Sequence, residues 1–151
     1  MTQIDKINHK EILISKIIKK KLTIGVIGLG YVGLPLSILF AKKNFKILGF
    51  DLNINKIKLI NSGKSYIERI SNKEVKLLSK KGKCFFEFEK IIECDVIIIC
   101  VPTPLKNKDT PDLSFIKKTI ISIKDKLRPG QLLILESTSY PGTTREEVVQ
   151  K

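Results

Sequence analysis

One histidine and three cysteines in 151 residues leave little with which to hold a metal. Zinc sites need three or four His, Cys or carboxylate ligands at short, characteristic spacings. Cys84, Cys94 and Cys100 form no C-x-x-C pair, and the single His9 stands far from all three. An odd number of cysteines gives no disulfide framework either, so free thiols are expected. Long apolar runs are missing as well; none approaches the ~18 residues that a membrane-crossing helix requires. The first 21 residues mix isoleucine with lysine and have no unbroken apolar core, so they do not read as a signal peptide. No membrane partner and a cytoplasmic location are the expectations. Acidic residues are scarce, 15 against 28 basic ones, for a net charge of +13. Such an excess would suit a nucleic acid. The lysines, however, are scattered (Lys42, Lys43, Lys46, Lys56, Lys58, Lys64) and are not interleaved with aromatics. The charge reads as a habit of lysine and isoleucine usage that at most steers polyanionic ligands, and no nucleic-acid partner is expected.

What is present is a globular composition, 42% hydrophobic, long enough for one core. Residues 4–20 read as an amphipathic helix, with Ile4, Ile7, Ile14, Ile17 and Ile18 near helical spacing. Short β-rich runs then alternate with helical stretches. Strands are predicted at 22–27, 45–50, 83–88, 96–101 and 132–136, and helices at 31–43, 53–60, 72–82 and from Asp112 or Ser114 to about Leu127. Asn72 is a candidate cap for the third of these helices. Residues 102–111, with Pro102, Pro104 and Pro111, read as a loop. Thr143-Thr144-Arg145-Glu146 has the form of a capping box and is expected to open a last helix. Alternation of this kind predicts an α/β fold, a parallel doubly wound sheet of Rossmann type. The complete version has six strands in the order 3-2-1-4-5-6. Five are counted here, so the expectation is a sheet cut short before its sixth strand.

Gly28-Leu29-Gly30-Tyr31-Val32-Gly33 supplies a G-x-G-x-x-G sequence between the first strand and the first sheet-flanking helix. Alone the pattern is weak; its placement gives it force. Gly28 permits the tight turn, Gly30 lets a pyrophosphate approach the backbone, and Gly33 lets the helix pack close to the sheet. The N–H groups and dipole of the helix then favour phosphate. Asp51 closes the second strand, where a carboxylate accepts from the adenosine ribose hydroxyls and repels a 2′-phosphate, which favours NAD over NADP. Lys56 follows one helical turn later. It either covers the adenine side, pairs with Asp51, or is a solvated lysine among many.

Three segments carry a resemblance: 24–35 around the glycine loop, Cys100-Val101-Pro102-Thr103-Pro104, and Glu136 through Thr144 after the fifth strand. From about residue 22 onward the chain resembles the NAD-binding domain of the UDP-glucose/GDP-mannose dehydrogenase family. The resemblance implies that Thr103, Ser137 and Thr138 contact the cofactor, beside Gly28, Leu29, Gly30, Tyr31, Val32, Gly33, Asp51 and Lys56. Tyr66-Ile67-Glu68-Arg69-Ile70, Pro111 through Phe115, and Glu136 before Ser-Thr look most like the branch that oxidises UDP-N-acetylhexosamines. The implied organisation is a lysine-rich helix over 1–21 and an incomplete dinucleotide-binding domain over 22–151, without the UDP-sugar-binding domains.

Members of the family oxidise a sugar C6 alcohol to a carboxylate with two NAD, through a cysteine that captures the aldehyde. A thiolate suits that role because it is both a nucleophile and a leaving group. The family's cysteine lies in a Gly-His-Cys segment, which this sequence does not contain. No catalytic residue is therefore assigned, and the 151 residues alone are expected to be inactive. The resemblance implies a UDP-sugar substrate, surface polysaccharide synthesis and a homo-oligomer for the full-length enzyme. One alternative is a stand-alone NAD-binding or regulatory module without chemistry. Another, a 3-hydroxyacid-type dehydrogenase, would share the glycine loop but would not need the segment 137–144.

Overall fold

The computed structural model describes residues 8–106 and 110–149. Five parallel strands form the central sheet: β1 Thr23–Ile27, β2 Lys46–Phe50, β3 Gly82–Phe85, β4 Val96–Ile99 and β7 Leu132–Leu135. Their order, β3-β2-β1-β4-β7, is that of the first five strands of the dinucleotide-binding topology. Between β4 and β7 the chain makes a two-stranded antiparallel hairpin, β5 Leu105–Lys106 and β6 Thr110–Pro111, where the sequence suggested only a loop. Pro111 is tolerated there because the ribbon has two free edges and needs no N–H from it.

The flanking helices are α2 Gly33–Lys42, α3 Ile54–Asn61, α4 Asn72–Lys81 and α5 Ser114–Ile123. Alternation along each strand splits the core in two. Ile24, Val26, Ile47 and Ile98 pack on one face beneath α2, α3 and α4. Ile27, Leu48, Phe50, Ile97 and Ile99 pack on the other beneath Ile116, Ile120 and Ile123 of α5. Both faces are covered, which is why β1 and β4 are apolar along nearly their whole length. Free Cys84 and Cys94 fill the space that glycines leave on the sheet: a Cβ on Gly49 would lie 2.6 Å from the Cys84 sulfur, and one on Gly25 2.7 Å from that of Cys94.

Two caps differ from expectation. Ser71, not Asn72, caps α4: its hydroxyl accepts from the Glu74 N–H while the Glu74 carboxylate accepts from the Ser71 N–H. Glu74, partly exposed, is held down at a pKa of about 2, first by its hydrogen bond from Lys42 and then by those from Ser71. The capping box expected at Thr143 does not form. The Thr143 hydroxyl bonds instead to the backbone of Tyr140, and Glu146 accepts from the Tyr140 hydroxyl. Residues Thr144–Val149 wind as a π-helix. A short 3-10 turn at Glu89–Glu93 also went unpredicted.

The first helix, α1, spans His9–Ile18 with Asn8 as its cap; the expected Ile4 and Ile7 lie outside the described residues. It crosses the amino end of the sheet. There Asp95, 5% exposed, accepts from Lys16 at 2.6 Å and Arg128 at 3.0 Å through one oxygen, and from the Thr23 N–H at 3.1 Å through the other. Burial raises the Asp95 pKa, but the Lys16, Thr23 and Arg128 bonds outweigh it and hold the carboxyl below its ordinary value. Arg128 also donates to the carbonyls of Ile92 and Cys94, so one clasp ties α1, β1, β4 and the approach to β7.

Candidate functional site

A cleft of about 410 Å³ opens at the carboxyl end of the sheet, where β1 and β4 lead away in opposite crossover directions. Ligands of open α/β sheets sit at such a switch point. The β1 end contributes Gly28, Gly30, Tyr31 and Val32, and the β2 end contributes Asp51 and Lys56. Thr103 comes from the β4 end, Ser137 and Thr138 from the β7 end. Leu29 and Gly33, which the sequence also nominates, do not line it. The Leu29 side chain is fully buried in the core, and Gly33 serves packing.

The three glycines divide their work as the motif requires. Gly28 has φ +88°, and a Cβ there would meet the Cys100 carbonyl at 2.7 Å. A Cβ on Gly33 would lie 1.9 Å from the Gly28 carbonyl oxygen, so α2 could not approach the loop as it does. Around Gly30 nothing lies within 4 Å of a Cβ; its open side faces the cleft. The cap position Val32 offers no side-chain acceptor, and the first turn of α2 carries no acid. Among the described residues the N–H groups of Gly30, Tyr31, Val32 and Gly33 have no acceptor. A helix start left in this condition favours an anion.

Asp51 stands beside it, its side chain only 11% exposed. One carboxylate oxygen accepts from the Leu29 N–H at 2.8 Å, the other from the Asn53 N–H at 2.9 Å. These bonds fix the carboxylate plane yet leave acceptor capacity for a diol. The Lys56 ammonium sits 3.5 Å from Asp51 and over the Tyr66 ring, 5.7 Å from its centroid. Of the roles open to Lys56 on sequence grounds, pairing with Asp51 is the one the structure displays.

On the far side, the Ser137 hydroxyl donates to the Val101 carbonyl at 2.7 Å. It therefore joins the β7 loop to the β4 loop, and its oxygen is left as an acceptor. Thr103 is half-buried and Thr138 exposed. Cys100, Val101, Pro102 and Glu136 also line the cleft, although the sequence reading quoted them only as members of motifs. Their position at strand ends was the available signal. Burial, with a contribution from Glu136, pushes the Cys100 thiol up to about 11. It is protonated at neutral pH and unsuited to nucleophilic attack. Cys84 and Cys94 are pushed up to about 12, chiefly by burial. Among the described residues no group of three or more His, Cys, Asp or Glu side chains could hold a metal, and no helix is long and apolar enough to cross a membrane.

The profile of the UDP-glucose/GDP-mannose dehydrogenase family, NAD binding domain, matches residues 22–151. The chain belongs to this family. UDP-N-acetyl-D-glucosamine 6-dehydrogenase of Pseudomonas aeruginosa is 38% identical over 86% of the chain. UDP-N-acetyl-D-mannosamine dehydrogenase of Pyrococcus horikoshii is 40% identical over 82%. The chain spans 30% of the length of each of these curated relatives. The solved structure of the UDP-D-ManNAc dehydrogenase from P. horikoshii superposes with a TM-score of 0.78 at 38% identity, over 85% of this chain and 31% of that one. Residues 22–151 are thus the family's NAD-binding domain, and the cofactor is NAD.

Proposed function

We propose that Gly28, Gly30, Tyr31, Val32 and the Gly33 amide, with Asp51, Lys56, Thr103, Ser137 and Thr138, hold NAD for a nucleotide-sugar 6-dehydrogenase acting on a UDP-N-acetylhexosamine, Leu29 serving only to position the loop. In this reading α1 precedes and packs against a cofactor domain that begins at residue 22, and the protein works in the cytoplasm. The observation that carries the cofactor site is the set of amides at the start of α2 without acceptors, with the Asp51 carboxylate fixed at the end of the adjacent strand. The amides receive the pyrophosphate and Asp51 accepts from the adenosine ribose. Thr103, Ser137 and Thr138 border the opposite half of the cleft, toward which the nicotinamide would extend. When bound, NAD supplies the hydride acceptor for alcohol oxidation. The sugar preference rests on relatives that are named for UDP-N-acetylglucosamine and UDP-N-acetylmannosamine.

A chimaera tests the reading. Residues 22–151 replace the matching domain of the P. aeruginosa relative, and NADH absorbance is followed with UDP-N-acetylglucosamine, UDP-N-acetylmannosamine and UDP-glucose. Turnover with an N-acetylhexosamine, abolished by Gly30→Val, is expected. A folded chimaera that binds no NAD would overturn the cofactor assignment. One that binds NAD yet turns over none of these sugars would favour the stand-alone binding module.

A further inference from the structure

Between α3 and α4 the chain forms neither helix nor strand, yet it sends the half-buried Tyr66 back against the glycine loop, 37 positions away. The Tyr66 hydroxyl donates to the Leu29 carbonyl. On its other side, Leu29 donates its N–H to Asp51. Both peptide groups of Leu29 are therefore held by side chains from beyond β2. A trans peptide is planar, with its C=O and N–H pointing in opposite directions. Holding the Leu29 carbonyl on Tyr66 turns the next amide, that of Gly30, the other way. That amide has no acceptor among the described residues, and Gly30 borders the cleft. The ring of Tyr66 meanwhile lies under the Lys56 ammonium, an arrangement that favours a cation over an aromatic face. Tyr66 itself is not among the residues that line the cleft. Burial first, and then the charge of Asp51, raise its pKa above that of an ordinary tyrosine, so the hydroxyl keeps its proton throughout the physiological range.

We infer that Tyr66 is a positioning residue for the adenosine diphosphate half of NAD, its hydroxyl setting the Gly30 amide and its ring setting the Lys56 ammonium. The inference rests on the proposed NAD site. It also distinguishes Tyr66 from a tyrosine that merely fills the core, because the two handles act on two different ligand contacts. The hydroxyl contributes through the loop, and any ligand that carries the adenosine pyrophosphate senses it. The ring contributes through Lys56, and its effect vanishes when Lys56 carries no charge.

Calorimetric titration of the full chain with NAD and with ADP tests this, using Tyr66→Phe and Tyr66→Leu, each alone and combined with Lys56→Met. Thermal midpoints serve as the folding control. Tyr66→Phe is expected to weaken NAD and ADP by the same factor, about five-fold, the scale of one neutral hydrogen bond. Tyr66→Leu is expected to weaken both further, and the difference between Phe and Leu is expected to disappear in the Lys56→Met background. Tyr66→Phe that binds both ligands as the wild type does, or a Phe–Leu difference that persists without the Lys56 charge, would overturn the inference and leave the NAD site intact. Should the Leu variants not fold, Tyr66→Phe against the wild type decides alone. Failure of the wild type itself to bind NAD would remove the proposed function and this inference with it.

Discussion

The two ends of the parallel sheet treat polar groups in opposite ways. At the amino end, the buried Asp95 carboxylate is surrounded by donors from α1, β1 and the segment before β7. At the carboxyl end, the amides that open α2 are left without acceptors, and the cleft before them is bordered by glycine. Satisfied polar groups add rigidity, and unsatisfied ones at a concave surface mark a ligand. The same strands therefore carry a structural end and the end proposed to bind NAD, and substitutions at each should move different measurements.

Breaking the amino end has the largest expected effect on stability. Asp95→Ala strands two cations and the Thr23 N–H, and is expected to cost about 3 kcal/mol, the lower part of the range for a broken buried pair, since Lys16 and Arg128 are partly solvated. Urea unfolding measures it. NAD affinity of the folded fraction should stay at the wild-type value, and a parallel loss of affinity would mean that the two ends are coupled.

At the carboxyl end, Gly30→Val places a side chain where no protein atom stands within 4 Å. Its backbone φ is not positive, so valine fits the fold. NAD affinity should fall by on the order of 100-fold as the pyrophosphate path is blocked. The unfolding midpoint should hardly move; a large drop in stability with unchanged affinity would assign Gly30 to packing instead.

Asp51→Ala is expected to be milder, an affinity loss of about ten-fold for NAD and a narrower preference over NADP, because one charge-assisted contact and one repulsion are removed together. Competitive titration of the two cofactors reads both. A wild type that prefers NADP would contradict the role given to Asp51.

The smallest effect concerns pH. The Asp95 pKa is lowered on folding, so its contribution to stability is complete above the ordinary aspartate range of about 4 and is lost as pH falls through the folded-state value. Unfolding free energies of wild type and Asp95→Ala should converge in acid below that range and stay apart near neutrality. A constant difference across the acid range would show that the carboxylate charge is not what stabilises the clasp.

The binding end was far more legible in the sequence than the structural end, for a physical reason. The loop glycines and the strand-final Asp51 lie in short segments of fixed geometry, so spacing pointed to them, while Thr103, Ser137 and Thr138 were reached through the family resemblance; the structure gathers them all at one cleft. The Asp95 clasp joins residues 33 and 79 positions away, and no local pattern announces such pairs. Tyr66 is hidden for the same reason, lying in an irregular stretch that only the fold brings to Leu29. The caps show a subtler limit. Ser71-x-x-Glu74 and Thr143-x-x-Glu146 share one pattern, but only the first is a capping box, because Tyr140 engages both Thr143 and Glu146. The pairing of Leu105–Lys106 with Thr110–Pro111 was obscured by Pro104 before it and Pro111 within it, because proline punctuates a loop and an edge ribbon alike.

The most direct test of the division between the ends is an amide NMR titration of the chain with NAD. The account predicts saturable shifts at residues 28–33, 51–56, 103 and 137–138, with the amides of Thr23, Asp95 and Arg128 unmoved. Shifts centred on the Asp95 clasp, with the glycine loop silent, would contradict it.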